Sequence, residues 1–68
     1  MKEVDARGLS CPQPVLLLAE ALKGSEKEIT VLVDDFAPLE NVSRYAQNHG
    51  CTVKHNDKGD YTEIICQR

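Results

Sequence analysis

The four glycines fall at joints, and that limits what the chain can build. Gly24 and Gly50 each close a run with helical patterning, and Gly59 sits in a polar stretch between two strand-like runs. Gly8 lies in the loop Arg7-Gly8-Leu9-Ser10. The pieces between these joints are short, so each must bury its apolar side against the others. At 68 residues, surface scaling predicts roughly 4,300 Å² of accessible surface folded against about 11,000 Å² unfolded. About 60% of the surface is then buried, enough for one thin core and no enclosed cofactor cavity. Residues 1–68 are expected to form a single domain.

Residues 2–6 read as a strand, with Val4 and Ala6 inward. Residues 12–23 read as a helix capped by Gly24, with Val15, Leu18, Ala19 and Leu22 as its core stripe. Pro14, Leu17 and Ala21 are expected nearer the outside. Residues 28–33 alternate as a strand. A second helix starts at Phe36 or Pro38, after capping residues Asp34 and Asp35, and ends at His49. Its inner face carries Leu39, Val42 and Ala46. Residues 51–55 and 61–67 form two further strands, joined by a turn over residues 56–60. Along the last strand, Thr62, Ile64 and Cys66 face the helices while Glu63 and Gln67 face away. The fold class is therefore α+β: a two-layer α/β sandwich, βαβαββ, with two helices on one face of a four-stranded mixed sheet.

Composition excludes several functions. Apolar residues are 41% and charged residues 28%, as in an ordinary globular domain. The net charge of −3, with its eight basic residues scattered, argues against direct nucleic-acid binding. The longest apolar stretch, residues 14–19, is too short to span a membrane. No signal-peptide pattern opens the chain, so the expected location is cytoplasmic. Three cysteines in a reducing compartment point away from a disulfide framework and toward a reactive thiol.

Cys11 is the candidate. It lies in Ser10-Cys11-Pro12-Gln13-Pro14, where a loop becomes a helix. Proline suits a first helical position, which puts Cys11 at the cap. A thiolate there meets the positive end of the helix dipole, and such an environment lowers a thiol pKa. Pro14 removes one amide, leaving the N–H groups of Gln13 and Val15 as the nearest donors. Arg7 adds positive charge if the loop folds back. The plainer reading is that Cys11 only caps the helix, but cysteine is a poor cap and Ser10 stands beside it.

Cys51 and Cys66 sit on alternating strands and read as small core residues, the alternative being a resolving thiol for Cys11. Cys51 and His55 are four apart on a strand, about 13 Å, too far to share a metal ion. No metal site is expected, and His49 and His55 are read as solvated. Asn41-Val42-Ser43 matches a glycosylation acceptor but falls inside a helix.

The pattern Asp5-x-x-Gly8-Leu9-x-Cys11-Pro12-x-Pro14-Val15, with a later strand ending in Asp34-Asp35, resembles the TusA/SirA family of small sulfur-carrier proteins. The resemblance spans essentially the whole chain. Asn41-Val42-Ser43-Arg44-Tyr45 resembles the YedF-like branch, associated with selenium metabolism, in which a DsrE-like domain usually follows. The resemblance implies the same βαβαββ fold and a persulfide carried on Cys11, framed by Pro12 and Pro14. It implies a cysteine desulfurase or other sulfur-donor protein as one partner. A downstream acceptor protein, such as a DsrE-like domain, is the other, in trafficking such as tRNA thiolation. The chain departs from the family in having Asp35-Phe36 where many members have Asp-Pro, and Ala19-Glu20 where many carry basic residues.

Sulfur relay is thiol exchange and needs no cofactor and no built-in general base, so the chain is expected to act as a carrier rather than a classical enzyme. Arg7, Gly8, Pro12, Gln13 and Pro14 are the expected supports of Cys11. Two other readings stand beside it: a thiol-disulfide redox module pairing Cys11 with Cys51 or Cys66, and a non-catalytic regulatory or interaction domain.

Overall fold

The computed structural model describes residues 2–10 and 12–68. The elements run β1 (Lys2–Asp5), α1 (Gln13–Ala21), β2 (Glu28–Val33), α2 (Phe36–Asn48), β3 (Thr52–Asp57) and β4 (Thr62–Gln67). The expected βαβαββ order and the mixed sheet are both present. The strands lie in the order β1-β2-β4-β3. β1 is parallel to β2, and β4 is antiparallel to both its neighbours. The accessible surface of 4188 Å² matches the size expected from chain length.

Side-chain alternation assigns the two faces of the sheet. Ile29, Val31 and Val33 of β2 and Ile64 and Cys66 of β4 join the core, with Leu18 of α1 and Val42 and Ala46 of α2. Thr30 and Leu32 point to the opposite face yet are buried as well. Their register neighbours Glu3, Asp5, Glu63 and Ile65 flank them across the strands. The central strand is thus covered on both sides, one by helices and one by neighbouring side chains.

The buried side of α1 is rotated from the expected stripe. Pro14, Leu18 and Ala21 are its buried residues, whereas Val15 and Leu22 are only partly buried. Pro14 and Ala21 therefore face the core and not the outside. Nearly every residue from Pro14 to Leu22 is apolar, so no polar face marks the orientation in sequence.

The helix ends also differ from expectation. α1 begins at Gln13 with Pro12 as its cap, and finishes at Ala21. Gly24 does not take a left-handed conformation. The carbonyls at that end are instead met by Arg68, whose guanidinium donates to the oxygens of Leu22, Gly24 and Glu26 at 2.9, 2.6 and 2.8 Å. α2 ends as expected: Gly50 has φ +85, its N–H reaches Gln47 O, and the Cys51 N–H reaches Ala46 O at 3.0 Å. That pair of bonds is a Schellman motif.

β3 runs to Asp57, two residues further than expected, and the turn tightens to residues 58–61, with Lys58 N–H donating to Tyr61 O. His55 is exposed but not merely solvated. Its Nε2 lies 2.7 Å from Ser43 Oγ, and Ser43 donates to Leu39 O, so Nε2 carries the proton. His49 stacks on Tyr45 with ring centroids 4.0 Å apart and donates from Nδ1 to Tyr45 O.

Candidate functional site

The loop between β1 and α1 is tied down at every residue described on its way to Cys11. Asp5, the last residue of β1, accepts from Arg7 three times: from its backbone N–H at 3.1 Å, from Nε at 2.9 Å and from an Nη at 2.9 Å. These bonds hold the Asp5 carboxyl down to a pKa of about 2 and push Arg7 up. The same guanidinium lies over the Tyr61 ring, 5.0 Å from its centroid. Arg7 thus joins the strand end, the loop and the β3–β4 turn.

Gly8 makes the sharp bend, with φ +77. Its N–H donates to both carboxylate oxygens of Asp34 at 3.0 Å. A Cβ at this position would meet no atom within 4 Å, so only the backbone conformation calls for glycine. Leu9 is partly buried against the core, and its N–H reaches Ala6 O. Ser10 is exposed, and its carbonyl accepts the Gln13 N–H at 3.0 Å.

Cys11 itself lies outside the described residues. Pro12 and Gln13 are exposed, whereas Pro14 is among the most completely buried side chains of the protein. The motif is pinned at one proline and presented at the other. In sequence, Cys11 precedes the cap of α1 rather than forming it, because Pro12 takes that position. The Gln13 N–H, expected to be a donor for the thiolate, is engaged by Ser10.

The five expected supporting residues thus belong to one stretch, from Arg7 to Pro14. Sequence reasoning missed Asp34 as the partner of Gly8 and Tyr61 as the partner of Arg7. Asp34 follows the end of β2 as expected, but the cap of α2 is Asp35, whose side chain accepts the Phe36 N–H. Asp34, Asp35, Ala37 and Pro38 face Gly8, Leu9 and Ser10 across an open cleft of about 420 Å³.

Residues 2–68 match the family model described as sulfurtransferase TusA. The chain belongs to the TusA family. A Methanocaldococcus jannaschii protein whose name proposes it as a sulfur carrier is 46% identical over 55 residues, 78% of this chain and 73% of its own length. The crystal structure of a SirA-like protein from Desulfitobacterium hafniense superposes with a TM-score of 0.87 at 27% identity, covering 98% of this chain and 96% of that one. The TusA-family fold therefore holds across the whole described chain.

Cys51 and Cys66 of this TusA-family chain are free thiols, both buried. Burial pushes the Cys66 thiol up to about 11, with neighbouring Cys51 adding to the effect. Both join the core, Cys66 from β4 as expected and Cys51 from the turn after α2, one residue before β3 and not on the strand expected to start there. Among the described residues, no group of three His, Cys, Asp or Glu side chains is placed to hold a metal ion. None of the described helices is long and apolar enough to cross a membrane.

Proposed function

We propose that this chain is a cytoplasmic sulfur carrier that accepts sulfane sulfur on Cys11 and passes it to an acceptor protein. The observation that carries the reading is the TusA-family match, which runs straight through Cys11-Pro12-Gln13-Pro14. The M. jannaschii relative, named as a proposed sulfur carrier, supports it.

The chemistry is a thiol exchange. The Cys11 thiolate attacks the terminal sulfur of a donor persulfide, R–S–SH. The new bond gives Cys11–S–SH, the donor S–S bond breaks, and the donor leaves as R–S⁻. Atoms, charge and protons balance, and no outside oxidant is needed. Delivery repeats the exchange with an acceptor thiolate as the nucleophile.

Several residues support this role. Arg7 and Gly8 hold the approach to Cys11 through Asp5 and Asp34. Pro12 caps α1, and Gln13 closes the turn onto Ser10. Pro14 anchors the segment in the core. Cys51 and Cys66 are both buried, and burial pushes the Cys66 thiol up, which favours the motif cysteine for exchange. A cysteine desulfurase is the proposed donor. The Asn41–Tyr45 resemblance favours a YedF-like, selenium-related setting with a DsrE-like acceptor, tRNA thiolation being the other destination.

Delivery tests the reading. Loaded chain, freed of donor, is mixed with a DsrE-like protein, and both masses are followed. The extra sulfur should leave the chain and appear on the acceptor. A Cys11→Ser chain that carries and delivers sulfur equally well would sink the proposal.

A further inference from the structure

We propose that the surface around Phe36 is the docking site for the protein sulfur donor. The donor would present an apolar pocket for the Phe36 ring, rimmed by lysine and arginine. The inference rests on the carrier reading above and adds to it where the donor sits and what it must look like.

Phe36 is 72% exposed, the more exposed of the two large apolar side chains that stand out among the described residues. A lone exposed apolar residue needs no explanation. Phe36 is different because it forms a ridge between two open grooves, both floored by Leu39. One groove, of about 450 Å³, continues along α2 to Ser43 and His55. The other, of about 370 Å³, runs toward the β3–β4 turn. An aromatic ring on a ridge is the shape that inserts into a pocket, and such rings dominate interface energetics.

Charge complementarity identifies the occupant. The second groove is walled by Asp34, Asp35, Asp57 and Asp60. Among the described residues, none of the four is in a salt bridge. Asp34, Asp35 and Asp57 accept only backbone N–H groups, from Gly8, Phe36 and Gly59. Arg7, whose charge also acts on Asp34, forms its ion pair with Asp5, and Lys58 pairs with Glu63. An apolar anchor beside carboxylates that form no salt bridge selects a basic rim on the partner and steers its approach.

The surface is also continuous with the loop that leads into Cys11. The first turn of α2, which Phe36 opens, walls the cleft over Gly8, Leu9 and Ser10. The second exposed large residue, Leu16, is 59% exposed and lies one helical turn beyond Pro12. A donor seated on Phe36 therefore lies beside the loop Gly8-Leu9-Ser10, which precedes the carrier cysteine in sequence.

The test compares two loading routes for Cys11. One uses a persulfurated cysteine desulfurase from the same organism, and the other uses inorganic polysulfide, which needs no docking. Phe36→Ala should raise the half-saturating desulfurase concentration about tenfold. Its saturated transfer rate and its polysulfide loading should match wild type, and its thermal unfolding should be unchanged. Asp57→Asn with Asp60→Asn should flatten the salt dependence of desulfurase loading. Wild-type loading of Phe36→Ala by the desulfurase would overturn the proposal. So would a wild-type chain that loads from polysulfide but not from the desulfurase. A wild-type dimer that Phe36→Ala dissolves would assign the surface to a second copy and overturn it too. Failure of Cys11 to load by either route would instead overturn the carrier reading itself.

Discussion

Asp34 holds the Gly8 amide with both carboxylate oxygens at 3.0 Å, across 26 positions of sequence. That contact ties the end of β2 to the loop before Cys11. Charge-assisted hydrogen bonds are the stronger kind, but this one is exposed and water competes for it. Asp34→Ala should cost about 1 kcal/mol in urea unfolding. It should also speed hydrogen exchange at the Gly8 amide and slow Cys11 loading. Asp34→Asn, which keeps one acceptor oxygen, should fall between the two.

Gly8 itself is required for its left-handed backbone. Gly8→Ala meets no steric obstacle, so its cost is the conformation alone, about 1–2 kcal/mol. A urea midpoint equal to wild type would show that the loop can relax to a negative φ.

Arg68 joins three carbonyls after α1 that have no helical donor of their own. Arg68→Ala should destabilise the fold by about 1–3 kcal/mol in denaturant melts. Arg68→Lys should recover little, because an ammonium cannot reproduce the planar fork. Equal stability of all three chains would contradict the assignment.

Acid should loosen the loop between β1 and α1. The folded Asp5 carboxyl titrates near 2, below its ordinary value of 3.8. A lowered folded pKa adds stability above the ordinary value, and that stability is lost as pH falls through about 4 toward about 2. NMR titration should find Asp5 low in wild type and back in the ordinary carboxylate range in Arg7→Ala.

Cysteine reactivity should separate cleanly. Cys66 is raised to about 11 from 9.0, so the folded state keeps its proton where the unfolded chain has released it. Stability should therefore fall as pH rises through 9 toward 11. At neutral pH, brief iodoacetamide treatment of the folded chain should label Cys11 and spare Cys51 and Cys66, with all three labelled in denaturant. Rapid labelling of Cys66 in the folded chain would contradict its buried assignment.

Much of this fold is legible in the sequence because its signals are local. Gly50 and Gly59 mark turns that need a left-handed residue, and both adopt one. Alternation along β4 correctly sends Ile64 and Cys66 inward. The orientation of α1 is not legible, because residues 14–19 are apolar throughout and tertiary packing alone selects Pro14 and Ala21 for burial. Strand order is equally hidden, since β4 inserts between β2 and β3 through non-local pairing. At the site, the Cys11 motif is short and contiguous and can be read directly. Its supports Asp34 and Tyr61 come from distant strand ends, and Arg68 reaches back 46 positions to Leu22. A charged residue's type announces that it will find a partner, not which one.

The central claim is that Cys11 carries the sulfur. The most direct measurement is intact mass after incubation with a cysteine desulfurase and cysteine, for wild type and Cys11→Ser, with peptide mapping of any adduct. The account predicts a gain of about 32 Da, one sulfur atom, on Cys11 and none in the variant. An unmodified wild-type chain, or an equal gain in Cys11→Ser, would contradict it.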